Sequence, residues 1–227
     1  MIIKDLKGKT EYNLECVKVP IMDTNCYFLS KDNETILIDA GGEGEELINY
    51  IENHGLKLSA VLLTHGHFDH IEALDALLEK YKDIKIYAND NEKIVIENKD
   101  NNLMDHELKD STLKSITYIN ESIELDLLSL KIKMIYTPGH TIGCCCYHIP
   151  DLNILFSGDT LFKETYGRTD LPTSDMKSIA RSVNFRLKVL NDDLLIFPGH
   201  GHETILSHEK EYNEIMRIYV ENWAKDA

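Results

Sequence analysis

Apolar runs alternate with amphipathic segments along most of this chain, and five of the apolar runs end at or just before Asp or His. Strands hold their ends rigidly while the loops beyond them leave room for a ligand. The pattern therefore predicts buried strands whose ends bring imidazoles and carboxylates to one rim of a sheet. The runs are Thr35 to Ile38 before Asp39, Ala60 to Thr64 before His65, Ile132 to Tyr136 before Thr137-Pro138-Gly139-His140, Ile154 to Phe156 before Ser157-Gly158-Asp159, and Leu194 to Phe197 before Pro198-Gly199-His200.

Helical periodicity fills the gaps between these runs. Residues 43 to 54 place Leu47, Ile48 and Ile51 on one face, and Gly55 follows where a helix commonly ends. A second helix is predicted after His70, a third is capped by Ser174 or Asp175, and a last one begins near Ser207. The apolar positions of these three helices are, in order, Leu74, Leu77, Leu78 and Tyr81; Ile179, Val183, Leu187 and Leu190; and Tyr212, Ile215, Met216, Tyr219 and Trp223.

The alternation of strands and helices predicts an α/β layered fold. Residues 98 to 122 are polar and are interpreted as a loop region with one short helix. No linker or low-complexity stretch divides residues 1–227, so we expect a single domain with no separate C-terminal domain. Ligand-bearing strand ends occur in both halves, which suggests two similar units packed face to face.

Composition and charge narrow the possible partners. The chain has 227 residues, 43% of them hydrophobic, and a formal net charge of −15. Such a charge repels a phosphate backbone, so nucleic acid is not expected as a partner. The N-terminus lacks the apolar stretch of an export signal, and no run approaches the roughly 20 apolar residues that span a bilayer. The expectation is a cytoplasmic protein without a membrane partner.

Five cysteines are present, three of them consecutive at Cys144, Cys145 and Cys146. Without an export signal, reduced thiols are expected rather than a disulfide framework. Alternation along a strand would turn Cys145 away from its two neighbours, so the three sulfur atoms would not converge on one ion. Buried packing is the favoured interpretation, since free cysteine behaves as a small hydrophobic residue.

The densest chemistry lies in the segment His65-x-His67-x-Asp69-His70. Alternate histidines on an extended loop can face one ion, while Asp69 and His70 at the start of a helix can face a neighbouring one. His140 and His200 can each complete one of these two sets, and Asp159 can bridge both ions through its two oxygens. Imidazole and carboxylate ligands suit zinc, iron or manganese, and the sequence does not choose among them.

Some of these residues have simpler interpretations. Asp69 followed by Glu72 also fits a helix-capping arrangement, although capping and metal binding are compatible. His202 can support His200 or lie on a solvated loop. The remaining histidines, which have no comparable neighbours, are His54, His106, His148 and His208.

Four segments resemble the motifs of the metallo-β-lactamase superfamily in order and spacing. They are Thr64-His65-Gly66-His67-Phe68-Asp69-His70, Pro138-Gly139-His140-Thr141, Ser157-Gly158-Asp159-Thr160 and Pro198-Gly199-His200. The resemblance implies an αββα sandwich with two metal sites. His65, His67 and His140 would hold one ion, Asp69, His70 and His200 the other, Asp159 would bridge them, and Asp39 would orient ligands.

The chemistry expected of two ions is hydrolysis. A pair roughly 3.5–4 Å apart lowers the pKa of a shared water toward about 7 and polarises a carbonyl. Asp69 can accept a hydrogen bond from the resulting hydroxide. A thiolate leaves without protonation, so a thioester suits a site that has no obvious general acid.

The stretch from Asp159 to Phe162, followed by Tyr166 to Pro172, resembles the short glyoxalase II-like branch, the hydroxyacylglutathione hydrolases. The resemblance puts Arg168 and Tyr166 near the substrate, although Arg168 can equally pair with Asp170 on the surface. Asp170 departs from the aromatic contact of full-length glyoxalase II enzymes. Only 27 residues follow His200, which leaves glutathione specificity open.

Four other functions are compatible with parts of this pattern. A mononuclear iron persulfide dioxygenase also carries a Gly-Arg-Thr-Asp stretch and is the main alternative. A β-lactamase is disfavoured by the missing export signal, and a ribonuclease Z-like nuclease by the negative charge. A purely structural metal site is disfavoured because such sites favour cysteine-rich ligand sets.

Overall fold

The computed structural model describes residues 1–4, 8–20 and 22–218, with backbone only at residues 2–4. Its strands are β1 (Ile2–Lys4), β2 (Glu11–Val19), β3 (Thr24–Lys31), β4 (Glu34–Ile38), β5 (Lys57–Leu62), β6 (Lys85–Asn89), β7 (Ile116–Ile119), β8 (Glu124–Leu127), β9 (Leu130–Tyr136), β10 (Cys145–Ile149), β11 (Ile154–Gly158), β12 (Leu161–Phe162), β13 (Thr165–Tyr166), β14 (Leu195–Pro198) and β15 (Thr204–Ile205). Its helices are α1 (Glu45–Asn53), α2 (Phe68–Ile71), α3 (Leu74–Lys80), α4 (Lys93–Ile96), α5 (Lys99–Asn102), α6 (Asp110–Ser115), α7 (Met176–Arg181) and α8 (Leu206–Tyr212).

Two sheets form the centre of the molecule. Strands β1 to β7 lie side by side in chain order in the first sheet, antiparallel up to β4 and parallel from β4 onward. The second sheet has the order β15-β14-β11-β10-β9-β8, and β12 with β13 makes a separate hairpin. All five apolar runs predicted as strands lie in these sheets, as part of β4, β5, β9, β11 and β14.

The described residues pack around three apolar cores, which separate the layers of the fold. One lies between the sheets, where Ile38 and Leu62 of the first sheet join Ile132, Tyr147 and Phe156 of the second. Another lies between the first sheet and helices α1 and α3. The third lies between the second sheet and the segments that contain α7 and α8. The order helix, sheet, sheet, helix confirms the predicted αββα sandwich.

The first two helices differ slightly from their predictions. In α1, Leu47 and Ile51 are fully buried, and Gly55 beyond it adopts φ +61°, as a helix-ending glycine does. The helix predicted after His70 instead begins at Phe68 and is interrupted before Leu74, so that Asp69 and His70 lie inside α2. The N-cap residue of α2 is His67, which makes no side-chain capping bond. Asp69 therefore does not act as the cap.

Two later predictions need correction. Residues 98 to 122 contain the helices α5 and α6 and the edge strand β7, because their buried positions Thr112 and Ile116 give the segment a packed face despite its polarity. Asp175 caps α7 as predicted, its carboxylate accepting from Ser178 N at 2.6 Å, but the helix continues as a π-helical segment, Ser182–Leu187.

The last predicted helix ends early. α8 stops at Tyr212, whose side chain is exposed and not inward, and Ile215 and Met216 are buried from a 3₁₀ turn that follows. Tyr219 and Trp223 lie outside the described residues.

The cysteine run behaves as the strand alternation predicts. Cys145 faces the core between the sheets, whereas Cys146 faces the core beneath α7. Burial raises the pKa of all three thiols. They therefore pack as small apolar side chains.

Across the described residues, no helix is long and apolar enough to cross a membrane. The cytoplasmic location and the single-domain organisation of residues 1–227 stay predictions.

Candidate metal centre

The strand ends converge on one cluster. Seven predicted ligands come together at the rim of the two sheets. Among the described residues, histidine and carboxylate atoms form three groups that could hold a metal ion, each with its ligand atoms within 4.8 Å of one another. The groups are His65, His67 and His140; His65, His70 and Asp159; and Asp69, His70 and His200. We call the first the inner group and the last the outer group.

The inner group is closed to solvent. His65 is 0% exposed and His67 and His140 are 3% exposed. His67 Nδ1 lies 2.9 Å from His140 Nε2, although these residues are 73 positions apart. Burial lowers the pKa of His65 well below its usual value and that of His67 to about 3. Both imidazoles are therefore neutral at pH 7, the form that binds metals.

The outer group is more open and more polar. His200 Nε2 lies 3.2 Å from Asp69 Oδ2, and the His200 side chain is 24% exposed. Burial lowers the pKa of His200, but its hydrogen bonds to Asp159 and Asp69 outweigh burial and raise that pKa to about 9. Burial disfavours charge on Asp69, yet the neighbouring His70 and His200 bring its pKa down to about 2.

Asp159 lies between the two groups. Its Oδ2 is 3.5 Å from His140 Nε2 in the inner group and 3.4 Å from His200 Nε2 in the outer group. Its Oδ1 is 3.4 Å from His70 Nε2. This is the position that a bridging carboxylate needs.

The histidine rings are oriented through their Nδ1 atoms. His70 Nδ1 donates to Asp39 Oδ2 at 2.8 Å, His140 Nδ1 to the Arg168 carbonyl at 2.9 Å, and His200 Nδ1 to the Met22 carbonyl at 3.1 Å. Each bond leaves Nε2 directed into the cluster.

Asp39 has the orienting position that the resemblance implied. It adopts φ +61° after β4, and its carboxylate accepts from both the amide and the hydroxyl of Thr64, at 2.7 Å each. Asp39 thus connects His70 to the residue that precedes His65.

The residues fit metal ions. His65 Nε2, His67 Nε2 and Asp159 Oδ1 are buried, yet none of them makes a hydrogen bond with any described residue. Buried polar atoms are nearly always paired, so three such atoms in one cluster call for a cationic partner. The donor set of imidazoles and carboxylates suits zinc, iron or manganese.

Glycines let the loops come this close. A Cβ at Gly199 would overlap Asp159 Oδ1, and one at Gly167 would overlap the Asp159 carbonyl oxygen. Any larger residue at these positions would push Asp159 away from the histidines.

The side chains of the two predicted substrate residues are not part of the ligand groups. The Arg168 side chain is 62% exposed and forms a bidentate pair with Asp170, with N–O distances of 2.7 and 2.8 Å. The half-buried Tyr166 packs against the core beneath α7 and α8. Their substrate-binding roles stay predictions.

Sequence reasoning missed three supports of the site. Thr24 Oγ1 donates to Asp69 Oδ2 at 2.8 Å, and the Asn25 side chain donates to the carbonyls of Pro198 and Gly201 that flank the His200 loop. The buried carboxylate of Glu92 accepts from Gly66 N at 2.7 Å. Short polar residues at the start of a strand and a single Glu after one carry no distinctive pattern, so only the contacts reveal them.

Comparison with known proteins shows to which family this chain belongs. The family model described as the metallo-beta-lactamase superfamily matches residues 19–200. The chain belongs to this superfamily. The probable metallo-hydrolase YqgX of Bacillus subtilis is 36% identical over 204 residues, covering 86% of this chain and 93% of that protein. The hydroxyacylglutathione hydrolase GloC of Haemophilus influenzae is 33% identical over 208 residues, covering 90% and 98%.

A solved structure agrees with the superfamily assignment. The crystal structure of TTHA1623 in a di-iron-bound form matches with a TM-score of 0.77 at 29% identity, covering 88% of this chain and 98% of that one. Together with the His and Asp groups, these relatives make the protein a metal-dependent hydrolase of this superfamily.

Proposed function

We propose that this protein hydrolyses a thioester of the hydroxyacylglutathione type with the help of two divalent metal ions. The observation that carries the proposal is the convergence of seven His and Asp side chains, three of which have a buried atom that makes no hydrogen bond with any described residue. The 33% identity to a hydroxyacylglutathione hydrolase supports the substrate class.

His65, His67 and His140 would hold one ion, Asp69, His70 and His200 the second, and Asp159 would contact both. Zinc is the first choice, and iron and manganese suit the same donors. Two such ions supply a water of lowered pKa and polarise the carbonyl of the substrate.

Asp69 is proposed as the catalytic residue that orients the attacking water. Thr24 fixes one oxygen of its carboxylate at 2.8 Å, and the low pKa of Asp69 keeps that carboxylate ionised at neutral pH. An ionised carboxylate accepts a hydrogen bond from the water and directs its lone pair toward the substrate.

A hollow of about 390 Å³ next to His200 offers room for the substrate. Its walls are residues 162–165 of the β12–β13 hairpin and residues 200–202 of the loop after β14. The ring of Phe162 stands nearly perpendicular to His200, with 5.9 Å between centroids. The thiol portion of the substrate would lie here and leave as a thiolate, which needs no proton from the protein.

The test is a substrate screen on protein loaded separately with zinc, iron and manganese. We expect cleavage of S-lactoylglutathione and weaker cleavage of a thioester that lacks the glutathione portion. An Asp159→Asn variant, which preserves shape, is the control and should be inactive.

Two outcomes would contradict the proposal. Oxygen uptake on a glutathione persulfide by a one-iron form, without thioester cleavage, would favour the dioxygenase alternative. Hydrolysis of a chromogenic β-lactam without thioester cleavage would reassign the substrate class. Neither nucleic acid nor a membrane is part of the proposed reaction.

A further inference from the structure

Glu92 is a buried acid that the proposed chemistry does not use. It ends the 3₁₀ turn Asp90–Glu92 after β6 and is 1% exposed. Burying a carboxylate is costly unless donors surround it. Burial raises the pKa of Glu92 to about 7, even though the donors around it favour the charged form.

Those donors belong to the two loops of the inner group. Glu92 Oε1 accepts from the amide of Gly66, which lies between His65 and His67, at 2.7 Å. Glu92 Oε2 accepts from Thr141 Oγ1, directly after His140, at 2.9 Å. The amide of Gly143 is a third donor to the same carboxylate.

The segment around Glu92 also packs tightly on both loops. A Cβ at Gly66 would lie 2.6 Å from Ile96 Cγ1, and one at Gly143 would overlap the backbone nitrogen of Glu92. Both loops therefore approach this segment as closely as only glycine allows. The Glu92 carboxylate joins the loop that follows β5 of the first sheet to the loop between β9 and β10 of the second sheet.

We propose that Glu92 is a positioning residue that holds the His65-Gly66-His67 loop and the His140 loop in the geometry that binds the inner metal ion. This inference rests on the proposed metal-dependent function. The backbone bond from Cys145 N to the Thr64 carbonyl, at 2.9 Å, joins the same two chain segments next to His65, but its other end lies five residues beyond His140. Glu92 instead holds Gly66 and Thr141, the immediate neighbours of the ligands. Removing it would let His67 and His140 separate.

A purely structural role would have different consequences, and Glu209 provides the comparison. Glu209 is 0% exposed and accepts from Thr204 Oγ1, Glu164 N and Asn213 Nδ2 at 2.6 to 2.8 Å. These partners are not neighbours of the inner ligands. Replacing either glutamate should lower the melting temperature, but only Glu92 should affect the inner ion.

The experiment measures metal binding without substrate. Metal-free wild type, Glu92→Gln, Glu92→Ala and the control Glu209→Gln are titrated with Co²⁺, followed by the visible absorption of the bound ion, and with Zn²⁺ against a chelator. Partners that orient metal ligands typically contribute about 10–100-fold in affinity. We expect Glu92→Ala to weaken one of the two metal equivalents by about that factor, Glu92→Gln to weaken it less, and Glu209→Gln to weaken neither.

The outcomes separate this inference from the proposed function. A wild type that binds no metal would overturn the proposed function. A wild type with two ions whose Glu92 variants keep both at unchanged affinity would overturn the role of Glu92 alone. Equal weakening of both ions in the Glu92 and Glu209 variants would reduce Glu92 to a structural residue.

A second variant protects the test against misfolding of Glu92→Ala. Thr141→Val removes one donor and preserves the shape of that side chain. If Glu92 acts through Thr141, the effects of Glu92→Gln and Thr141→Val on inner-ion affinity should be non-additive when combined. Additive effects would contradict the proposal.

Discussion

The inner and outer ligand groups share one rim but lie in different surroundings. The inner group is sealed, its His65 and His67 imidazoles are neutral, and its loops are joined through Glu92. The outer group contains the partly exposed His200, which borders the hollow. Because of this difference, we expect the inner group to hold a metal ion tightly and the outer group to contact the substrate.

Asp159→Ala has the largest expected effect, because this carboxylate lies within 3.5 Å of histidines from both groups. Both metal equivalents and all turnover should be lost together. Metal analysis and the thioester assay check this. A variant that kept two ions and full turnover would mean that the two groups are independent.

Replacing single histidines by alanine would test whether the inner and outer groups each hold one ion. His67→Ala should remove the inner ion and His200→Ala the outer one, so that each variant retains about one equivalent instead of two. Elemental analysis after dialysis measures this stoichiometry. Loss of both ions in both variants would show that the centre forms only as a unit.

Glu92→Gln should change how the stability of metal-free protein depends on pH. The folded-state pKa of Glu92 is about 7, above the usual 4.5, so the folded state holds a proton that the unfolded state has lost between these values. The stability from this proton is present below pH 4.5 and is lost as pH rises through 7. At about 1.4 kcal/mol per pKa unit, the free energy of unfolding of wild type should fall by about 3.5 kcal/mol more than that of the variant over this pH range.

Urea unfolding of both proteins with chelator at several pH values measures this difference. The titratable neighbours Cys144, Tyr118 and Tyr136 stay neutral in this range, because burial raises their pKa values. Parallel pH profiles for the two proteins would contradict the prediction.

Arg168→Ala should affect substrate binding and not metal binding. If the guanidinium leaves Asp170 for an anionic substrate, its loss should raise KM by about 10-fold to 100-fold, since a charged hydrogen bond contributes about 1.5–3 kcal/mol. Steady-state kinetics with metal analysis test this. Asp170→Asn, which frees Arg168, should have the opposite effect, and loss of metal in Arg168→Ala would show that the residue is misplaced.

Cys145→Ala should have the smallest effect. The thiol packs between the sheets, so its removal should lower the free energy of unfolding by about 1 kcal/mol and leave turnover unchanged. Denaturant unfolding and the thioester assay measure both. Abolished turnover in a folded variant would give the cysteine run a chemical role.

Much of the fold was predictable, because buried strands leave a strong local pattern. The five apolar runs are all strands, and Asp175 caps α7 as its position suggests. The predictions failed where tertiary packing overrides local pattern, as in β7 and in the early end of α8 at Tyr212. In these segments, whether a residue is buried depends on which side chains the neighbouring layer packs against it.

The sequence alone determined which side chains are available as metal ligands. His and Asp residues follow the apolar runs, and this local order does not depend on how the strands pack. The sequence could not determine how those side chains face one another. Thr24 supports Asp69, and Glu92 joins the inner loops, only because strands distant in the chain pack at one rim. Contacts between residues far apart in the chain leave no local signal, so only the tertiary structure decided them.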